Sequence, residues 1–539
     1  MTPTFTLSER TGRWTLFSTI LASSMAFIDG TALNVALAAL QDDLDATGGE
    51  LIWIVNGYLL LLASLILLGG SLGDHLGRKR VFGSGIMIFA GASLVCGFAP
   101  STTVLIGARF VQGIGGALMV PGSLAIITAL IDSSDRGKAI GTWSAATTIT
   151  TISGPVLGGV LAGAGLWRFV FFINLPIAAL TLYGLSKVPE NRDDNASREL
   201  DFPGAALSVI GLAGLTYGLV TLGERGIATG VQRPSVWIAL AASVVAFPVF
   251  ILRESRTPHP MVNLNLFRSR TFSGANGITA LLYGALSGGL LFLPLNLIQA
   301  QGYDAATAGL TFIPFSIMLA ILSPWAGGLV DRYGPRLLLT IGPSIVGLSY
   351  FALALPGLTD GFADYWLTYF PGVLGIGIGM GLTVAPLTTS VMGAAPTAQS
   401  GVASGVNNAV ARSAQALSTA IFGALALVAF SFLLENASED IVLASDARDQ
   451  LADEANDLGN AEPPDGLAPA TEAAVERAID EAFVDTFRLT VIGAGIMCLL
   501  SGALAAVVLR KEPAVDETPG DSAQPPIDES PPVADNVGA

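Results

Sequence analysis

Charge is scarce in this chain. Asp, Glu, Lys and Arg make up 13% of its 539 residues, against about 25% in an ordinary soluble domain. A soluble protein of this length would need several domains with polar surfaces, and these charges cannot cover them. Cysteine is limited to Cys96 and Cys498, both inside apolar runs, so no disulfide framework is available. His75 and His259 are the only histidines and lie far apart, which argues against a metal site. No Gly-x-x-x-x-Gly-Lys-Ser/Thr run occurs, which argues against direct drive by ATP. Nothing groups a nucleophile with a base or a cofactor loop, so neither an enzyme nor a cofactor is expected. The basic residues are dispersed, so no nucleic-acid partner is expected either.

Apolar residues, by contrast, make up 52% of the chain, and glycine reaches 63 residues, as suits helices packed closely in lipid. A membrane span needs about 20 mostly apolar residues. Fourteen candidates meet that length: 14–38, 52–72, 81–99, 103–129, 139–163, 168–187, 203–223, 234–252, 272–297, 306–328, 337–356, 365–390, 400–431 and 487–510. The first is too long for a cleavable signal peptide and is interrupted by Asp29. If both termini are cytoplasmic, eighteen of the 26 Lys and Arg fall at inside positions and six at outside ones, with Arg109 and Arg412 left within spans. That asymmetry predicts a multi-pass inner-membrane protein with an even number of helices and both termini inside.

One short loop occurs twice. Gly70-Ser-Leu-Gly-Asp74-His-Leu-Gly77-Arg78-Lys-Arg80 returns as Gly327-Gly-Leu-Val-Asp331-Arg332-Tyr-Gly334-Pro-Arg336, each copy joining two apolar runs. A parallel repeat in a membrane chain points to a transporter built of two related bundles. If the two loops hold equivalent places, a first six-helix bundle covers 1–190. An inserted helix pair with its linkers covers 191–270, and a second six-helix bundle covers 271–510. The second bundle includes an acidic extracytoplasmic segment, 432–486, and a Pro-rich cytoplasmic tail at 511–539 reads as disordered. Residues 435–485 hold fifteen acids against two Arg, and 511–539 seven against one Lys. The net charge of -16 therefore belongs to these two stretches, which read as solvated, while the rest is slightly positive.

Asp29 is the one carboxylate well inside an apolar span, where an ionisable group costs several kcal/mol unless paired or hydrated. At 1.5 Å per residue it lies roughly 13–15 Å from the outer end of its span, and Arg109 roughly 10 Å from the outer end of the fourth. The similar depths make them natural partners. Arg109, Gln112, Gly113 and Gly116 fall on one helix face, read as a cavity-facing stripe. In the fifth span, Gly154-Pro155-Val-Leu-Gly158-Gly159 has small-xxx-small spacing that permits close helix contact, and Pro155 can bend the rod. Gly375-x-Gly377-x-Gly379-x-Gly381 has no βαβ context and reads as a packing face.

Together these motifs resemble the major facilitator superfamily, in particular its fourteen-helix drug:proton antiporters. The match runs from Gly70–Arg80 through Arg109-Phe-Val-Gln112-Gly113 to the fifth-span motif. Asp29-Gly-Thr31-Ala-Leu-Asn34, Trp53 with Tyr58, and Trp167-Arg-Phe with Asn174-Leu-Pro176 also resemble that group. The resemblance implies an all-α integral membrane fold with two six-helix bundles and an inserted pair. It implies a proton-coupling pair, Asp29 and Arg109, and a conformational gate of Gly70, Asp74, Gly77, Arg78, Asp331, Arg332 and Gly334. It also implies an antiporter motif of Gly154, Pro155, Gly158 and Gly159. A substrate cavity is implied around Asn34, Trp53, Tyr58, Gln112, Asn407, Asn408 and Arg412.

The expected function is proton-coupled export of small amphipathic molecules such as drugs or antibiotics by alternating access, with protons, the small molecule and the bilayer as partners and a monomer as the working unit. Metabolite uptake or exchange by the same fold, and a non-transporting sensor that uses the acidic segment, are the alternatives. Two embedded Arg against one Asp leave the core with an excess positive charge, which disfavours multicationic cargo and suits neutral, zwitterionic or weakly anionic amphiphiles.

Overall fold

The computed structural model describes residues 4–190, 201–224, 232–258, 260, 264–359, 361–394 and 400–509; the side chains of Asp74 and Asp331 lie outside that description. The linker after Glu190 and the Pro-rich tail, with the expectation of disorder made for it, also fall outside the described residues. Among the described residues the secondary structure is helical, apart from one isolated bridge between Phe5 and Ile131.

The first six-helix group is α1 (Arg10–Leu44), α2 (Gly48–Leu76), α3 (Arg78–Gly97), α4 (Thr102–Leu130), α5 (Ser133–Gly163) and α6 (Phe169–Ser186). The helix pair follows as α7 (Phe202–Glu224) and α8 (Pro234–Arg256). The second group holds α9 (Arg270–Leu295), α10 (Ala305–Leu310 continuing as Ile313–Tyr333), α11 (Pro335–Leu353), α12 (Phe370–Gly393) and α13 (Ser400–Ala437). A short helix α14 (Ser445–Glu454) then precedes α15 (Pro469–Val508), the last spanning helix. Thirteen of the described helices are long and apolar enough to cross a membrane, and the apolar part of α5, Ile149–Gly163, is shorter. Among the described residues, thirteen of the fourteen expected spans thus appear as membrane-length apolar helices in the expected order, and the fifth falls short of that length.

Local chemistry explains the helix ends. Thr47 and Glu50 form a reciprocal capping box at the start of α2, each side chain accepting from the other's backbone N–H at 3.2 and 3.1 Å. Asp45 closes α1 in the left-handed region at φ 48°. The two copies of the repeated loop turn on the same kind of residue, Gly77 at φ 105° and Gly334 at φ 72°. Glycine adopts this backbone without strain, so the loop repeats as structure as well as sequence.

α7 and α8 pack on each other, and α7 also packs against α2 and α13, placing the pair beside the seam between the two groups. α8 shows Trp237, Ile238, Val244, Val245 and Ile251 on its outer side. That apolar outer face suits hydrocarbon rather than water. α15 begins eighteen residues before the expected span and is continuous; Val475, Ile479 and Phe483 are buried on its early turns while Ala473 faces out.

The acidic segment departs from the solvated loop expected of it. After α14 a tight turn, Ala455–Asn460, buries Ala455 and Leu458, and Leu458 adopts φ 58°. In this strap, residues 445–460, Asp453 faces outward, Glu454 and Asp457 are half-buried, and the few apolar residues anchor it.

Candidate functional site

The polar centre is built entirely from the first helix group. α1 supplies Asp29, α3 Ser93, α4 Arg109 and Gln112, and α6 Asn174; each is essentially inaccessible. Arg109 Nη1 donates to Asp29 Oδ2 at 2.5 Å and to Gln112 Oε1 at 2.6 Å, and its Nε donates to the Ile54 carbonyl at 3.0 Å. Gln112 Nε2 donates to Asp29 Oδ1 at 2.7 Å and to Ser93 Oγ at 2.9 Å. Asn174 Nδ2 reaches the same Asp29 oxygen at 3.4 Å and Ser93 Oγ at 3.2 Å. The guanidinium sits 4.6 Å from the centre of the Tyr58 ring, a cation–π contact. Both carboxylate oxygens therefore have donors, which makes a full charge tenable in this apolar interior.

Gly113 and Gly116 of the stripe pack against α2, and Arg109 and Gln112 are sealed between α1, α2 and α3, so the stripe does not line an open cavity. A Cβ on Gly113 would stand 2.6 Å from the Tyr58 carbonyl oxygen, and one on Gly116 would stand 3.2 Å from the Tyr58 ring. The missing side chains bring α4 close enough for Arg109 to reach both the Ile54 carbonyl and Asp29.

The glycines of α5 tie this centre to the second group. A Cβ at Gly154 would overlap Thr31 Oγ1 at 1.8 Å, and one at Gly158 would meet the Ala32 carbonyl oxygen at 2.1 Å. Both contacts fall on α1 within three residues of Asp29. A Cβ at Gly159 would lie 2.3 Å from the Ala305 oxygen, and Gly309 faces the Pro155 oxygen in the same way. α5 is thus wedged between α1 and α10, directly against the backbone of each.

The remaining sequence candidates are spread more widely. Trp53 packs 6.0 Å from Phe110 and Asn34 is half-buried on α1. Asn407 donates to Asn276 at 3.1 Å and Thr279 at 2.7 Å inside the second group, while Asn408 is exposed. Arg412 is half-buried on α13 with its Cζ 5.9 Å from the Phe27 ring. At the first loop, Lys79 N–H donates to Glu190 at 3.0 Å, Lys79 Nζ to the Val188 carbonyl at 2.6 Å, and Arg80 approaches Glu190 at 3.6 Å. Gly70 lies beside Pro121, Arg78 is half-buried, and Arg332 stacks on Tyr333.

Sequence reasoning did not single out Ser93 or Glu190 and gave Asn174 no role at the carboxylate. It also passed over Asn56, which is fully buried on α2 with neither amide atom partnered. A lone polar residue inside a predicted span is the signal that would have found Ser93 and Asn56.

Two helix groups packed along a seam, with a buried charge pair inside the first, define an integral membrane protein of the transporter type. The family model described as Major Facilitator Superfamily matches residues 19–419, and the chain belongs to that family. It is 30% identical over 505 residues to the "Tetracenomycin C resistance and export protein" of Streptomyces glaucescens, covering 93% of this chain and 92% of the relative. It is 31% identical over 423 residues to the "Methylenomycin A resistance protein" of Bacillus subtilis (strain 168), with 78% and 88% covered. Among solved structures it resembles an inward-facing, unoccupied bacterial homolog of the human lysosomal transporter Spinster at TM-score 0.62, 16% identity and 92% and 97% coverage. It resembles a D-xylose-proton symporter at TM-score 0.54, 14% identity and 92% and 97% coverage. The structural likenesses speak for the fold.

Proposed function

We propose that this chain is a proton-coupled efflux transporter of the fourteen-helix antiporter type, moving small amphipathic molecules such as drugs or antibiotics outward by alternating access. The relatives named for resistance and export support efflux. The observation that carries the coupling is the sealed Asp29–Arg109 pair on a helix that α5 clamps against the second group. Protonation of Asp29 removes one charge of the pair and leaves the buried guanidinium with neutral acceptors, the Ile54 carbonyl and Gln112. The lost attraction loosens α1 from α4, and the Gly154–Gly158 contact passes that shift through α5 to α10. The end carrying the repeated loops and most basic residues faces the cytoplasm, both termini lie there, and the strap faces outward. A monomer suffices, because both the charge pair and the seam belong to one chain. The working chemistry is binding and release, so no catalysis is assigned.

Asp29→Asn in proteoliposomes tests this. The variant leaves Arg109 without a counter-charge but keeps an acceptor for it, so it should melt lower than the wild type, and the folded protein should lose drug movement driven by an imposed pH gradient. Undiminished gradient-driven transport would exclude Asp29 as the coupling group.

A further inference from the structure

The seam between the two helix groups holds two polar side chains that the charge pair does not use. α2 and α13 run antiparallel along it. A Cβ on Gly423 would lie 2.5 Å from Ile52 Cδ1, and one on Gly405 would lie 3.6 Å from Leu67 Cδ2. On α2, positions 52, 56, 60, 63 and 67 share the face between those contacts, and on α13 positions 405, 412, 416, 419 and 423 do the same. Leu60 and Ala63 fall in one apolar cluster with Leu212 of α7 and Leu417 of α13. Asn56 and Arg412 therefore belong to the two surfaces that meet across the seam.

Both are short of partners. Asn56 is 0% exposed, and neither its amide nitrogen nor its oxygen is hydrogen-bonded. A buried, unpaired amide costs free energy that a native fold rarely leaves uncompensated. The Arg412 hydrogen bond described is to Gln415 Oε1 on its own helix at 3.1 Å, and among the described residues no carboxylate pairs with it. A guanidinium in a membrane interior without a counterion is expensive by default. Asp29 does not serve it, because Arg109 and Gln112 already hold both carboxylate oxygens. Phe27 flanks the cation, its ring centre 5.9 Å from the guanidinium carbon. From the antiparallel register, the α13 level opposite Asn56 falls roughly 10 Å along the axis from Arg412 at the helical rise, about the length of a two-ring organic molecule.

We propose that Arg412 and Asn56 form a cargo subsite selecting aromatic amphiphiles that carry an anionic oxygen group, a carboxylate, sulfonate or phenolate. This rests on the export reading for its biological meaning, though not for its binding chemistry. Arg412 takes the anion, Phe27 packs on the ring, and Asn56 takes a hydrogen-bonding group at the far end once the seam parts.

A matched pair of dyes tests the assignment: anionic 8-anilino-1-naphthalenesulfonate and its neutral analogue N-phenyl-1-naphthylamine. Binding to the full chain in nanodiscs and gradient-driven flux in vesicles are both measured. Arg412→Gln should weaken sulfonate binding about tenfold, the scale of one charge-assisted hydrogen bond, and change the neutral dye less than about twofold. Asn56→Leu should weaken binding of both dyes without lowering the melting temperature, because it removes an unpaired polar group. Equal affinity of the wild type for the two dyes, or sulfonate binding unchanged in Arg412→Gln, overturns the subsite. An Asn56→Leu variant with unaltered binding removes Asn56 from it. Selective binding without gradient-driven flux would count against the export reading and leave the subsite standing.

Discussion

Arg109 donates through Nη1 and Nε in an environment that supplies a single negative charge. Removing either partner leaves an uncompensated charge where water does not reach, and breaking a buried pair in this way costs about 3–5 kcal/mol. Removing both together costs much less, because two apolar groups of similar volume need no counterion. Arg109→Leu is therefore expected to lower the melting temperature in detergent sharply, whereas Asp29→Leu with Arg109→Leu should recover part of that loss while remaining inactive. Differential scanning fluorimetry on the three proteins checks this. A double variant no more stable than Arg109→Leu would mean that the pair's electrostatics do not govern the stability of the first helix group. Asn174 and Ser93 share the network, so Asn174→Ala should have a smaller effect in the same direction.

At the scale of elements, α5 is the piece least tolerant of added volume. Gly159→Ala places a methyl against the Ala305 carbonyl oxygen, which is backbone and cannot rotate away. Gly107→Ala on α4 has nothing within 4 Å and is the control. The expected result is that Gly159→Ala expresses but loses most transport, while Gly107→Ala transports normally; equal activity would remove the α5–α10 contact from the mechanism. The helices themselves were legible because apolar run length and the twice-used Gly-containing turn are properties of the chain alone. The pairing of Asp29 with Arg109 was legible too, through depth along two spans. What stayed hidden was rotation about each helix axis. Apolar sequence surrounds a span whether it faces lipid or neighbours, so period alone did not show that Gly113 and Gly116 turn toward α2. The unpaired amide of Asn56 was hidden for the same reason, and Glu190 because its contact with Lys79 joins residues 111 positions apart.

For the whole molecule, the strap closes one end of both helix groups. Gln41 of α1 donates to the Asp457 carbonyl at 2.9 Å, and Gln299 from the turn after α9 donates to Gln41 at 2.8 Å. Gly48 at the start of α2 leaves room for Leu458, and Gly459 packs on Phe483 of α15. Because the strap touches both groups, parting them at this end must undock it. Its hold depends on pH. Burial, and then Glu454, Glu50 and Asp45, push the Asp457 carboxyl up to about 6; Gln299 and Phe483 face the turn from the second group. A carboxyl raised in the docked state binds its proton more tightly there than when released. Docking is therefore strongest below about pH 4, the ordinary carboxylate value, and weakens as pH rises to about 6. In hydrogen exchange, residues 455–460 should be better protected at pH 4.5 than at pH 7.5 after correction for intrinsic rates. Asp457→Asn should flatten that difference, and Leu458→Asp should remove protection at both values. Acid would then favour the closed strap. Protection that rises with pH in the wild type would reverse this sign and remove Asp457 from the docking.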